Sequence, residues 1–189
     1  MINLYTMDIL EAIKSIRNPN TEMESHPLIS QRLIDLCNYR IEQEEYSSRI
    51  YLAMSNWLDD KSYSGAAKLW KKYSQEELAH ADIIYDFLLG LGITPVTPSL
   101  QRPPQEFESL MQIVQLSFEH EIEVYNQCVA LAKASLEESQ LMLYPKALKL
   151  TEEQHEEVEK LIYWIDMFKS FGTDQITLLH IDEKMGEKA

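Results

Sequence analysis

The sequence predicts an all-α fold, an antiparallel four-helix bundle built from two helical hairpins. Only 5 of its 189 residues are Gly and 7 are Pro, and four of those prolines fall between Pro95 and Pro104. Long stretches therefore lack the two strongest helix punctuators. Four stretches, residues 28–58, 64–91, 105–135 and 141–171, repeat apolar residues at helical spacing. The connections inside each pair, residues 59–63 and 137–140, are short enough to force antiparallel neighbours.

In the first stretch Cys37, Ile41, Ser48 and Leu58 mark an inward stripe that also carries Glu44 and Tyr51. In the second, taking Ile84 as a core position and turning about 100° per residue, Glu77 falls about 20° to one side and His80 about 40° to the other. Both point inward. Residues 92–104 then form an extended proline-rich crossover long enough to travel the bundle. The third stretch runs Leu110, Val114, Ser117, Val124, Cys128 and Leu131 along its inward face, interrupted by Glu121. In the fourth, Gln154 and Glu157 relate to Leu161 as Glu77 and His80 relate to Ile84. A competing Glu-x-x-His match, Glu152 with His155, fails because Glu152 lies about 180° from Leu161, on the solvent side. Gly92 and Gly172 stand where glycines end helices. Residues 174–185 are expected to form a short fifth helix. Residues 1–27 read as an N-terminal extension with a short amphipathic helix over 7–17, leaving 28–185 as the folded domain.

The balance of 31 acidic against 17 basic residues, a net charge of −14, repels nucleic acid and anionic membranes and attracts cations. Two cysteines in apolar-periodic segments suit buried thiols in a reducing compartment. No stretch reaches the roughly 20 apolar residues of a membrane span, and no basic-then-apolar leader opens the sequence. A cytoplasmic location is the expectation.

The inward acids carry the chemistry. Glu77 follows Glu44 by 33 residues and Gln154 follows Glu121 by 33, so corresponding positions of the two hairpins should meet at one level. Carboxylates and an imidazole aimed into a bundle are unfavourable unless paired or bound to metal. The alternative is a closed network in which Glu77 and His80 pair and are satisfied by Tyr51 and Gln154. Oxygen ligands with one imidazole suit iron or manganese, and in a helical bundle a carboxylate-bridged di-iron centre with Glu77 as the bridge. Because the second Glu-x-x-His is replaced by Gln154-x-x-Glu157, the two metal positions should be unequal.

The segments Glu44-Glu-Tyr-Ser-Ser-Arg-Ile-Tyr51, Gly65-Ala-Ala67, Gln75-Glu-Glu-Leu-Ala-His80, His120-Glu121 and Glu153-Gln-His-Glu-Glu157 resemble, in order and spacing, the motifs of bacterial-type non-haem ferritins. The resemblance covers about residues 28–185. It implies a first iron position at Glu44, Glu77 and His80 and a second at Glu77 and Glu121, with Gln154 and Glu157 close by and Tyr51 beside them. It implies a weaker third position at Glu76, Glu153 and Glu156. It further implies ferroxidase activity, Fe²⁺ oxidised by O₂ or H₂O₂ and stored as ferric mineral, in a homo-oligomeric cage of 24 subunits. Bacterioferritins place a methionine haem ligand directly after the bridging glutamate. Leu78 stands there here, so no haem is expected. Lys149 occupies a position that is commonly aromatic in relatives. Two further readings are a rubrerythrin-type di-iron peroxidase, which the absence of a Cys-x-x-Cys pair disfavours, and a non-catalytic helical interaction module.

Overall fold

The computed structural model describes residues 28–189, so the expected helix over 7–17 lies outside the described residues. Helix α1 spans Gln31–Asp60, α2 Ser64–Gly90, α3 Leu110–Glu137, α4 Tyr144–Phe171 and α5 Gln175–Gly186. The four long helices pair as the sequence predicts, α1 with α2 and α3 with α4, and α5 lies against α2.

Local chemistry sets the ends. The Ser30 hydroxyl accepts the Leu33 amide and the Ser109 hydroxyl accepts the Gln112 amide, satisfying donors that helix starts leave open. The expected third helix, 105–135, therefore starts later, at Leu110. Residues 105–109 prolong the extended crossover that Pro103 and Pro104 impose, up to the Ser109 cap. Residues 141–143 form a turn, and α4 begins at Tyr144 with Pro145 in its first turn, where a missing amide hydrogen does no harm. Gly92 (φ 77°) and Gly172 (φ 88°) adopt the left-handed conformation expected of terminating glycines. Ser62 and Ser139 do so too, in the two tight inter-helix turns. The crossover is pinned where the Val96 amide donates to Asn38 Oδ1 at 2.8 Å. Among the described residues no helix is long and apolar enough to cross a membrane.

The core has two apolar halves. One gathers Leu33, Cys37, Ile41, Ile84, Leu88, Cys128, Leu131 and Leu150. The other gathers Met54, Leu58, Trp70, Leu110, Ile113, Leu161, Trp164 and Phe168 and extends to Ile181 and Met185 of α5. Between these sets in the sequence of the helices lie the buried polar residues Glu44, Ser47, Ser48, Ser74, Glu77, His80, His120, Glu121 and Gln154, with buried Arg40 just before Ile41 of the first set. Both cysteines are free and buried, and burial pushes each thiol up to about 12.

Helix α5 is held by polar as well as apolar contacts. Buried Asp182 accepts the Gly65 amide at 3.2 Å and the Ala66 amide at 2.7 Å, capping the start of α2 from a distant element. The approach is so close that a Cβ on Gly65 would fall 1.9 Å from the Asp182 carbonyl oxygen. Gly65→Ala must therefore push α5 away. We expect it to lower unfolding free energy by about 1–3 kcal/mol, as overpacking does. Asp182→Ala should lower it by about 1–2 kcal/mol through loss of the cap. Denaturant titration checks both; no change in Gly65→Ala would mean that α5 is not docked as described.

Candidate metal centre

The polar residues are inward because helical periodicity puts them there, and they are deeply buried. Glu44 is 0% exposed, Glu77 2%, His80 8%, Glu121 2% and Gln154 0%. Glu44 comes from α1, Glu77 and His80 from one turn of α2, Glu121 from α3 and Gln154 from α4. Each long helix thus gives at least one.

Glu44, Glu77 and His80 can offer one ligand atom each, all within 4.8 Å of one another. His80 Nδ1 lies 3.3 Å from Glu77 Oε2 and 4.0 Å from Glu44 Oε2. Its other nitrogen, Nε2, lies 3.5 Å from Glu153 Oε2. A histidine anchored by a carboxylate at one nitrogen and facing a cation position with the other is the arrangement that orients metal-binding imidazoles. Glu121 accepts a hydrogen bond from the Tyr51 hydroxyl. Ser47 Oγ lies 2.7 Å from His120 Nε2, fixing the residue beside Glu121.

The electrostatics of the group suit a cation. Burial, and next the neighbouring Glu44, push the Glu77 carboxyl well above the usual carboxylate range. Burial and then Glu77 do the same to Glu121. Burial raises Glu157 as well, and burial followed by Glu121 raises the Tyr51 phenol. Glu44 Oε2, Glu77 Oε2, His80 Nδ1, Glu121 Oε2 and both amide atoms of Gln154 are buried without a hydrogen-bond partner among the described residues, while Glu44 Oε1 meets Arg40 as an ion contact. Buried polar atoms are rarely left so, and a cluster of them on facing helices points to a bound species. Glu77 and His80 do pair at 3.3 Å, but the closed network around them does not form among the described residues, because Tyr51 bonds Glu121 and the Gln154 amide has no hydrogen-bond partner there.

The other expected residues are placed differently. Glu157 is partly exposed and ion-paired to Lys160 at 2.6 Å. The acids expected at a third position do not converge: Glu153 turns to His80 and Lys149, Glu76 is half-buried and Glu156 is exposed. Glu152 and His155 are exposed, as the facing argument requires. Sequence reasoning passed over Arg40, 1% exposed, whose Nε lies 2.8 Å from Glu44 Oε1. The signal was available: Arg40 is one turn before Glu44 and falls about 40° from it on the same face.

The model of the Ferritin family, described as a ferritin-like domain, matches residues 34–171. A protein of Haemophilus influenzae named a probable bacterial non-heme ferritin-like protein is 28% identical over 159 residues, covering 84% of this chain and 96% of its own length. A bacterial non-heme ferritin of Escherichia coli is 27% identical over 158 residues, with the same coverage of 84% and 96%. Among solved structures, an open pore ferritin from the archaeon Archaeoglobus fulgidus superposes with a TM-score of 0.81 at 26% identity, covering 84% of this chain and 96% of that one. The match spans all four long helices and every inward acid of the centre, and the chain belongs to the Ferritin family of ferritin-like domains.

Proposed function

We propose that this protein stores and detoxifies iron, oxidising Fe²⁺ to Fe³⁺ at an intrasubunit two-iron centre and holding the ferric product as mineral inside a homo-oligomeric cage, of 24 subunits by resemblance to its family. The observation that carries this reading is the buried set of unpartnered carboxylate and imidazole atoms contributed by facing helices. In it, Glu44 and His80 serve one iron, Glu121 the other, and Glu77 both, with Gln154 and Glu157 at the margin of the second position. No haem is part of it. The domain is taken as 28–185, with 1–27 as an extension, and the protein as cytoplasmic.

Iron is the substrate. Two Fe²⁺ give one electron each, so with uptake of two protons the pair reduces either O₂ to H₂O₂ or H₂O₂ to two water molecules. The protein's part is to hold two cations in a low-dielectric site and to supply negative charge that stabilises the ferric product. Glu77 and Glu121, their carboxyls raised by burial, release any proton they hold when a cation arrives. Tyr51 keeps Glu121 oriented through its hydroxyl.

Aerobic addition of Fe²⁺ to the purified protein tests storage. We expect rapid oxidation followed by loading of many iron atoms per subunit, read by iron assay after size-exclusion chromatography, with the iron travelling in a large assembly. Loading that stops at two irons per subunit would remove storage from the reading and leave the centre.

A further inference from the structure

Arg40 is the one fully buried guanidinium among the described residues, and the reading above gives it no task. It sits on α1 one turn before Glu44, with Nε 2.8 Å from Glu44 Oε1. Its Nη1 donates to Gln127 Oε1 of α3 at 2.6 Å, so it is fastened on both sides. The two oxygens of Glu44 are thereby divided: Oε1 lies against Arg40, while Oε2 faces His80 Nδ1 at 4.0 Å. The Arg40–Glu44 contact is an ion contact and not an aligned hydrogen bond, since Arg40 Nε and Nη2 and both Glu44 oxygens have no bonded partner.

We propose that Arg40 is a positioning and selectivity residue for the first metal position. The inference rests on the metal-centre reading. By engaging Oε1, Arg40 leaves Glu44 one oxygen for the metal. A guanidinium stays charged at every pH the protein meets, so it also places a fixed positive charge behind that ligand. A trivalent ion is repelled half again as strongly as a divalent one at the same point. Arg40 therefore offsets part of the carboxylates' attraction, more for the oxidised ion than for the reduced one, which eases release of Fe³⁺ once it forms. A neutral side chain tying α1 to α3 would not discriminate between ionic charges.

The test uses two redox-inert probes on the full chain: Co²⁺, followed by its visible absorption bands, and Ga³⁺ in a citrate buffer of fixed composition, followed by displacement of Co²⁺. Arg40→Gln removes the charge and keeps an amide at about the place of Nε, beside Glu44. We expect it to bind Co²⁺ roughly tenfold and Ga³⁺ roughly thirtyfold more tightly than the wild type, in keeping with the 2:3 ratio of ionic charges. Arg40→Lys, which retains the charge, should preserve the wild-type ratio of the two affinities. If Arg40→Gln does not fold, Arg40→Met removes the same charge with a stem of similar bulk and carries the same expectation. Folded variants that bind both ions as the wild type does, or tighten both equally, overturn the role of Arg40. Failure of the wild type to bind Co²⁺ at all would overturn the metal-centre reading, and the role of Arg40 with it.

Discussion

Glu77→Gln should abolish the fast phase of Fe²⁺ oxidation and, at the same time, make the metal-free protein more stable. Both effects follow from one arrangement. Glu77 is 2% exposed, its Oε2 has no hydrogen-bond partner, and the nearby acids Glu44 and Glu157 repel its charge. A carboxamide of the same shape removes that charge and can donate to Glu44. Relief of a buried unsatisfied group of this kind contributes about 1–3 kcal/mol. Activity should move the other way. Outer partners of metal ligands typically change affinity or activity by about 10–100-fold, and a ligand shared by both ions should exceed that range. Stopped-flow oxidation and thermal denaturation of the metal-free variant measure the two effects. Oxidation retained within a few-fold would exclude Glu77 as the bridge, and a loss of stability would mean that Glu77 is a structural partner of His80 and not a ligand held ready.

That opposition between stability and activity explains which parts of the site were legible in the sequence. Glu44, Glu77, Glu121 and Gln154 were visible because an acid or amide on an apolar stripe contradicts the pattern around it, and facing is fixed by rotation per residue. The same arithmetic rejected Glu152 and His155, which are exposed. Arg40 obeys that arithmetic too, yet a long basic side chain one turn from a glutamate reads naturally as a surface pair. Only the structure shows it sealed between α1 and α3. The acids Glu76, Glu153 and Glu156 show the converse limit. Their spacing allows a cluster, but the direction a half-exposed side chain takes depends on its neighbours, and Glu153 is drawn to His80 and Lys149. For the fold, apolar period and connection length gave the pairing of helices. They did not give the left-handed Ser62 and Ser139, nor the use of Asp182 as a cap on α2, because both depend on how separate elements meet.

The metal-free protein should lose stability as pH rises above the ordinary carboxyl range, and a bound divalent ion should cancel or reverse that loss. Glu77 and Glu121 carry carboxyls raised by burial and then by a neighbouring acid. A group raised in the folded state contributes stability in full below its unfolded value, about 4.3 for Glu, and loses it as pH rises through the folded value. His120 acts oppositely. Burial, and next Arg40, bring it down to about 3. Its contribution is complete above the unfolded value of about 6.5 and disappears only as pH falls toward 3. Well above its unfolded value His120 is constant, and the acids, joined toward pH 8 by the raised Cys37 and Cys128 thiols, set the slope, at up to about 1.4 kcal/mol per pH unit for each group still titrating. Metal binding requires the deprotonated acids, so affinity and the stabilisation it brings grow over the same interval. Self-repulsion from the net charge of −14 also weakens the metal-free protein at high pH. Salt separates the causes, because surface repulsion is screened at about 0.5 M ionic strength while buried pairs are screened much less. Melting temperatures in that salt, with and without Co²⁺, should diverge steadily between pH 6.5 and 8. A metal-free melting temperature that stays level would mean the inward acids are already ionised below pH 6.5, and the pH-dependent gain from a bound cation would then be absent from this interval.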